Sequence, residues 1–162
     1  MVKMPNWGYS TDGRTLDKDR TAKASGRDMK ISPKNTREVC NTIKGMDLDV
    51  AKRYLEGVIN KEKPVPFRRF NKKVGHRHGM KQFKWHSGRF PIKSAAKVYE
   101  VLSNAESNAA YNGLDPDRLK IIHAATMRGR KIKRYIERAH GRSTPYFKNL
   151  THVEIVLEEK TQ

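Results

Sequence analysis

Positive charge interleaved with aromatic rings is the chemistry this sequence offers first. Residues 131–149 read KIKRYIERAHGRSTPYFKN, and residues 127–148 hold eight cations against one acid, Glu137. The cations are Arg128, Arg130, Lys131, Lys133, Arg134, Arg138, Arg142 and Lys148. Such side chains neutralise phosphates and release counterions, while Tyr135, His140, Tyr146 and Phe147 offer faces that stack on bases or pack on sugars. A solvated charged loop has the same composition, but one-signed density of this kind is costly without a polyanion.

A second segment repeats the pattern. Residues 61–91 hold ten cations and one acid, Glu62. Arg68, Arg69, Lys72, Lys73, Arg77, Lys81, Lys84 and Arg89 alternate there with Phe67, Phe70, Phe83, Trp85 and Phe90. The two segments account for 16 of the chain's net charge of +18. Charge so localised points to a surface for a polyanionic partner rather than to general solubility.

Other chemistries fit less well. His76, His78 and His86 suggest a metal, but surrounding positive charge opposes a divalent cation and no Cys stands near. Hydrogen bonds to phosphate or 2′-hydroxyl are the plainer use of these rings. Cys40 is the single cysteine, which excludes an internal disulfide and a cysteine zinc cage, and fits a reducing compartment. There is no Gly-rich phosphate loop, G-x-S-x-G or H-E-x-x-H, so the sequence gives no support to catalysis and calls for no cofactor.

These residues need a scaffold to position them. A chain of 162 residues suits one domain with extensions. A mean hydropathy of −0.86 leaves part of it outside any core. Neither an apolar leader nor a membrane-length apolar run is present, so a soluble, cytoplasmic protein is expected. Residues 1–21 read as an N-terminal extension. Trp7 and Tyr9 in it either meet a partner surface or belong to a disordered tail, and Asp12-Gly13 marks a turn. Residues 22–162 read as the domain proper, opening on an edge strand over residues 21–31.

Ser32-Pro33 signals a helix start, with Ser as cap and Pro in the first turn. Thr36, Val39, Cys40 and Ile43 share one face, and Gly45 stops the helix. Asp47 is placed to cap a second helix burying Leu48, Ala51, Leu55, Val58 and Ile59. Periodicity vanishes over residues 61–91, an inserted basic loop expected to be flexible and to thread between RNA helices. It returns with an Ala-rich stripe, Ala95, Val98, Tyr99, Leu102, Ala105 and Ala109. Asn104, Asn108 and Asn112 share another face, for RNA backbone or for a neighbouring strand.

Residues 119–126 and 151–159 then read as strands, the second alternating Thr151, Val153, Ile155 and Leu157 on one face. A hairpin over residues 127–150 must join them, its tip near Ala139-His140-Gly141-Arg142. Arms of about 15 residues would run roughly 50 Å. A body of roughly 100 residues has a radius of gyration of only about 13 Å, so the distal half cannot rest on it. An isolated two-stranded ribbon is marginal in water, and its support must come from outside.

Three stretches carry a family resemblance: SPKNTREVCNTIKGMDLDVAKRYLE, FPIKSAAKVYEVLSNAESNAAYNGLD and LKIIHAATMRGRKIKRYIERAHGRSTPYFKNLTHVEIVL. In order and spacing, residues 32–159 resemble large-ribosomal-subunit protein family twenty-two, whose eukaryotic members are called L-seventeen. The insert and the NWGYS arm are similar to its archaeal and eukaryotic branch. The resemblance implies an α+β fold of three helices on a three-stranded antiparallel sheet, with a long protruding β-hairpin. It implies large-subunit rRNA and neighbouring ribosomal proteins as partners, a role in assembly, and a hairpin reaching into the polypeptide exit tunnel. Carried onto this chain, the tip facing the nascent polypeptide is Arg138, Ala139, His140, Gly141 and Arg142. His140 stands where bacterial members usually carry Lys.

The expected function is therefore a structural rRNA-binding constituent of the cytoplasmic ribosome, with no membrane association. Two other classes would use the same residues. An RNA-processing enzyme would take His76, His78 or His140 as acid–base groups, and a DNA-compacting protein would use the ribbon as a minor-groove arm.

Overall fold

Apolar residues at helical spacing and at strand spacing alternate along this chain, and each set finds the other in the fold. The computed structural model describes residues 8–11 and 16–160. Trp7 and the Asp12-Gly13 turn lie outside the described residues. In chain order the elements are β1 (Thr21–Met29), α1 (Pro33–Ile43), α2 (Leu48–Ile59), β2 (Val65–Pro66) and β3 (Gly88–Arg89). Then follow α3 (Ile92–Tyr111), β4 (Leu119–Ile132), β5 (Tyr135–Glu137), β6 (Ser143–Pro145) and β7 (Lys148–Glu159).

The main sheet is antiparallel in the order β1-β7-β4, so the last strand is its centre. Ala24, Ile155 and Ala124 lie side by side across it. Val153, Ile155 and Leu157 point from β7 into the core, in one cluster with Val39 and Ile43 of α1, Leu55 and Val58 of α2, and Val98 and Leu102 of α3. Full burial of each such side chain contributes roughly 1.5–3 kcal/mol. The fold is α+β, three helices on an antiparallel sheet from which a large hairpin extends.

Several local readings change. Pro33 does open α1, but the Ser32 hydroxyl makes no capping bond; Thr36 Oγ1 instead donates to the Ser32 carbonyl at 2.8 Å. Asp47 flanks α2 without capping it, because its carboxylate pairs with Lys160 Nζ at 2.7 Å. Of the two partners expected for the Asn face, Asn108 takes the neighbouring strand: its Nδ2 donates to the Lys23 carbonyl at 2.9 Å, tying α3 to β1. Gly26 permits that approach, since a Cβ there would stand 2.8 Å from Val101 Cγ2.

The insert departs most from expectation. Instead of a flexible loop it is a folded clasp, with β2 and β3 paired antiparallel and Val65, Phe67 and Met80 buried. Tyr54 Oη donates to the Pro64 carbonyl and Trp85 Nε1 to the Phe67 carbonyl, both at 2.9 Å. Its partners lie in α1 and α2, so no local periodicity could announce them.

Strand β7 is buried on both faces from Leu150 to Leu157, although its alternation marks only one. The second face carries His152, Glu154 and Val156. Residues 8–11 fold back over it: Ser10 donates to Glu154 Oε2 through its backbone N–H at 3.0 Å and its hydroxyl at 2.9 Å. Tyr9 lies against Lys23, whose ammonium is 5.5 Å from the ring centroid. This end of the expected arm thus meets its own sheet.

Candidate nucleic-acid interface

The cationic hairpin is anchored at its base and bare beyond it. Strands β4 and β7 stay paired as far as Ile132 and Lys148, with a register shift between Arg128 and Lys131. Gly129 in that shift lies so close to β1 that a Cβ would meet Asp28 Oδ1 at 2.9 Å and His152 Cε1 at 3.0 Å. Asp28 in turn clasps Arg130, its Oδ2 accepting from Nε at 3.2 Å and from the terminal guanidinium nitrogen at 2.9 Å. Among the described residues, Arg130 is the one cation of the ribbon that meets a carboxylate.

Beyond the anchor, β5 and β6 continue the ribbon through the pairs Tyr135–Pro145, Ile136–Thr144 and Glu137–Ser143. Tyr146 N donates to the Arg134 carbonyl at 2.6 Å, bridging the gap between the two ladders. At the tip His140 (φ +58°) and Gly141 (φ +66°) are both left-handed, and Arg142 N reaches the Ala139 carbonyl at 3.4 Å. Consecutive left-handed residues make the type I′ turn that matches the twist of two strands. Every residue from 133 to 149 is exposed.

The exposed apolar surface follows the same ribbon. Tyr135, Ile136, Tyr146 and Phe147 are all exposed, and Tyr135 and Phe147 meet edge to face with centroids 5.7 Å apart. Lys131, Lys133, Arg134, Arg138, Arg142 and Lys148 are exposed beside them. Rings and charges therefore share one unsupported element, as a stacking and phosphate surface requires.

The insert presents its charges differently. Arg68, Arg69, Lys72, Lys73, Arg77, Lys81, Lys84 and Arg89 are exposed, and none forms an ion pair among the described residues. Several are held by the rings between them. The guanidinium of Arg68 stands 5.9 Å from the Trp85 centroid, that of Arg77 5.7 Å from Phe90, and that of Arg89 5.9 Å from Phe67. His76 and His86 pack edge to face at 4.7 Å, and His86 stacks on Trp85 at 4.8 Å.

Sequence reasoning missed the acids that hold this surface. Glu38, fully buried on α1, accepts the backbone N–H groups of Arg68, Arg69 and Phe70 at 3.2, 3.0 and 2.9 Å. The signal was faint: Glu38 flanks Val39 and Cys40 on the apolar side of α1 and looks like an ordinary surface acid.

Scaffold and surface define a class: a small α+β body with a cationic two-stranded ribbon and a folded basic insert. The family model described as ribosomal protein L22p/L17e matches residues 24–158. A protein named large ribosomal subunit protein uL22 from Methanopyrus kandleri is 50% identical over 160 residues, covering 99% of this chain and 100% of the relative. Its namesake in Ignicoccus hospitalis is 45% identical over 157 residues, 96% and 99% of the two chains. That of Methanocaldococcus jannaschii is 46% identical over 144 residues, 89% and 91%. The chain belongs to the ribosomal protein L22p/L17e family. It is a structural constituent of the ribosome and not an enzyme.

Proposed function

We propose that this chain binds large-subunit rRNA, holds several rRNA segments together during assembly, and lines the polypeptide exit tunnel with its hairpin tip. The observation that carries the reading is the ribbon of residues 133–149, exposed throughout and crowded with cations and rings. Its free part extends about seven residues per arm, roughly 23 Å. Among the described residues nothing in the body covers it, and phosphates supply both the neutralising charge and the walls it needs.

In this reading residues 22–162 form the ribosomal domain, residues 61–91 its basic insert and residues 127–150 its projecting hairpin. The cations of both segments, from Arg68 to Arg89 and from Arg128 to Lys148, face rRNA phosphates. Arg138, Ala139, His140, Gly141 and Arg142 face the nascent polypeptide. Neighbouring large-subunit proteins complete the partners, in the cytoplasm; among the described residues no helix is long and apolar enough to cross a membrane. The names of the archaeal relatives support this placement.

The test is a salt titration of rRNA binding. Replacing Arg130, Lys131, Arg134 and Arg138 with Ala removes four phosphate partners. The slope of log affinity against log salt should fall by about 3, since each contact contributes about 0.7–0.9. The variant should also leave large subunits during sedimentation at a salt concentration that the parent chain withstands. An unchanged slope would refute the reading.

A further inference from the structure

Between the insert, the first turns of α1 and the base of the ribbon lies a cleft of about 320 Å³, with cations supplying five of its ten lining residues and no acid among them. Lys34 and Arg37 enter it from α1, Arg69 from the insert, and Arg128 and Lys131 from β4. Among the described residues none of these five is paired to a carboxylate. Phe70 is the one aromatic ring in the wall. Lys34 Nζ and the Arg69 guanidinium stand 5.6 and 6.0 Å from its centroid.

Five cations lining one cleft, two of them against its ring, is a specific arrangement. Three separate chain segments converge to make it, and the fold holds the ring in place. Phe70 N donates to the buried Glu38 at 2.9 Å, and the ring packs in part against the hydrophobic core. The volume is at the low end of the roughly 300–1,000 Å³ typical of small-ligand sites, which suits one nucleotide and excludes a duplex. Asn149, beside Lys131 in the ladder, adds an uncharged amide at the rim for a base edge.

We infer that this cleft binds a single unstacked ribonucleotide, its base against Phe70 and its flanking phosphates between Lys34 and Arg37 on one side and Arg128 and Lys131 on the other. The inference rests on the rRNA-binding reading above and adds a site to it. A base entering the cleft displaces Lys34 or Arg69 from the Phe70 ring, and the released cation meets the incoming phosphate. Unpaired, splayed-out nucleotides are the form in which RNA offers a base face to a protein. The cleft therefore selects a bulge or loop.

The test uses the full chain and protein-free large-subunit rRNA, read by affinity and by 2′-hydroxyl acylation of each nucleotide. Phe70→Leu keeps the apolar volume and removes the stacking face. It should weaken binding roughly five- to a hundredfold, restore reactivity at one protected unpaired nucleotide, and leave the salt slope unchanged. Phe70→Trp should bind as tightly as the parent, which separates lost stacking from lost folding. The pair Lys34→Gln and Arg37→Gln should lower the salt slope and expose the same nucleotide. If Phe70→Leu binds with parental affinity and an unchanged footprint, the cleft is not a nucleotide site, while the salt titration of the ribbon still stands on its own. If the parent chain protects no rRNA nucleotide, the rRNA-binding reading fails and this site fails with it.

Discussion

The carboxylate of Glu38 on α1 accepts the backbone N–H of Arg69 at 3.0 Å, and so one buried anion fixes a turn of the basic insert about thirty residues away in sequence. The same oxygens take the neighbouring N–H groups of Arg68 and Phe70. Glu38→Ala leaves three donors without their acceptor, at a cost of about 2–4 kcal/mol. The Tm should fall by roughly 5–15 °C, and residues 68–90 should become open to limited proteolysis. A melt unchanged in Glu38→Ala would mean the insert is held by its aromatic residues alone.

Glu154 does the same for the N-terminal segment on the opposite face of the sheet. It is fully buried, accepts twice from Ser10, and faces the Arg27 guanidinium at 3.3 Å. Glu154→Ala removes both acceptor bonds to Ser10 and the buried carboxylate that faces Arg27, and should cost about 3–5 kcal/mol. Ser10→Ala removes the hydroxyl that bonds Glu154 and His123 Nε2 but keeps the backbone donor, and should cost about 1–2 kcal/mol. Both should speed cleavage of the N-terminal segment, the first much more than the second.

Cys40 should be chemically silent. Burial pushes its thiol up to about 11, against a partly offsetting hydrogen bond from Thr126 Oγ1 at 3.3 Å. Between pH 9 and 11 the unfolded chain loses this proton while the folded chain keeps it. Stability from this group is therefore complete below pH 9 and falls as pH rises, by about 1.4 kcal/mol per unit at most. Urea melts of the parent chain and Cys40→Ala should diverge in slope only in that window. Alkylation at pH 8 should proceed no faster than the protein opens.

Two glycines of the hairpin should behave oppositely. Gly129→Ala drives a Cβ into Asp28 and His152 at the anchor, which should loosen the Asp28 clasp on Arg130 and cost about 1–3 kcal/mol of global stability. Gly141→Ala strains a left-handed tip residue by about 1 kcal/mol, but the tip is exposed throughout among the described residues. The Tm should drop for the first and stay level for the second.

What could be read from sequence was set by how local each cause is. Gly45 and Gly141 do end or turn their elements at positive φ, and Pro33 does open α1, because backbone geometry is decided within a few residues. The stripe from Ala95 to Ala109 faces the core for the same reason. Glu38 and Glu154 were illegible because each acts on donors far along the chain. The fold of the insert was hidden likewise: Phe67, Phe83 and Trp85 turn toward the protein, although their spacing resembles that of rings awaiting bases. On the ribbon, by contrast, Tyr135, Tyr146 and Phe147 stay exposed.

Amide hydrogen exchange over residues 133–149, measured on the free chain and on the chain bound to large-subunit rRNA, tests the central claim most directly. A bare two-stranded ribbon opens readily, so these amides should exchange fast in the free protein and slow by at least about tenfold on RNA, while β7 from Leu150 to Leu157 stays protected in both. Strong protection of residues 133–149 in the free chain, or none gained on rRNA, would contradict a ribbon that RNA makes rigid.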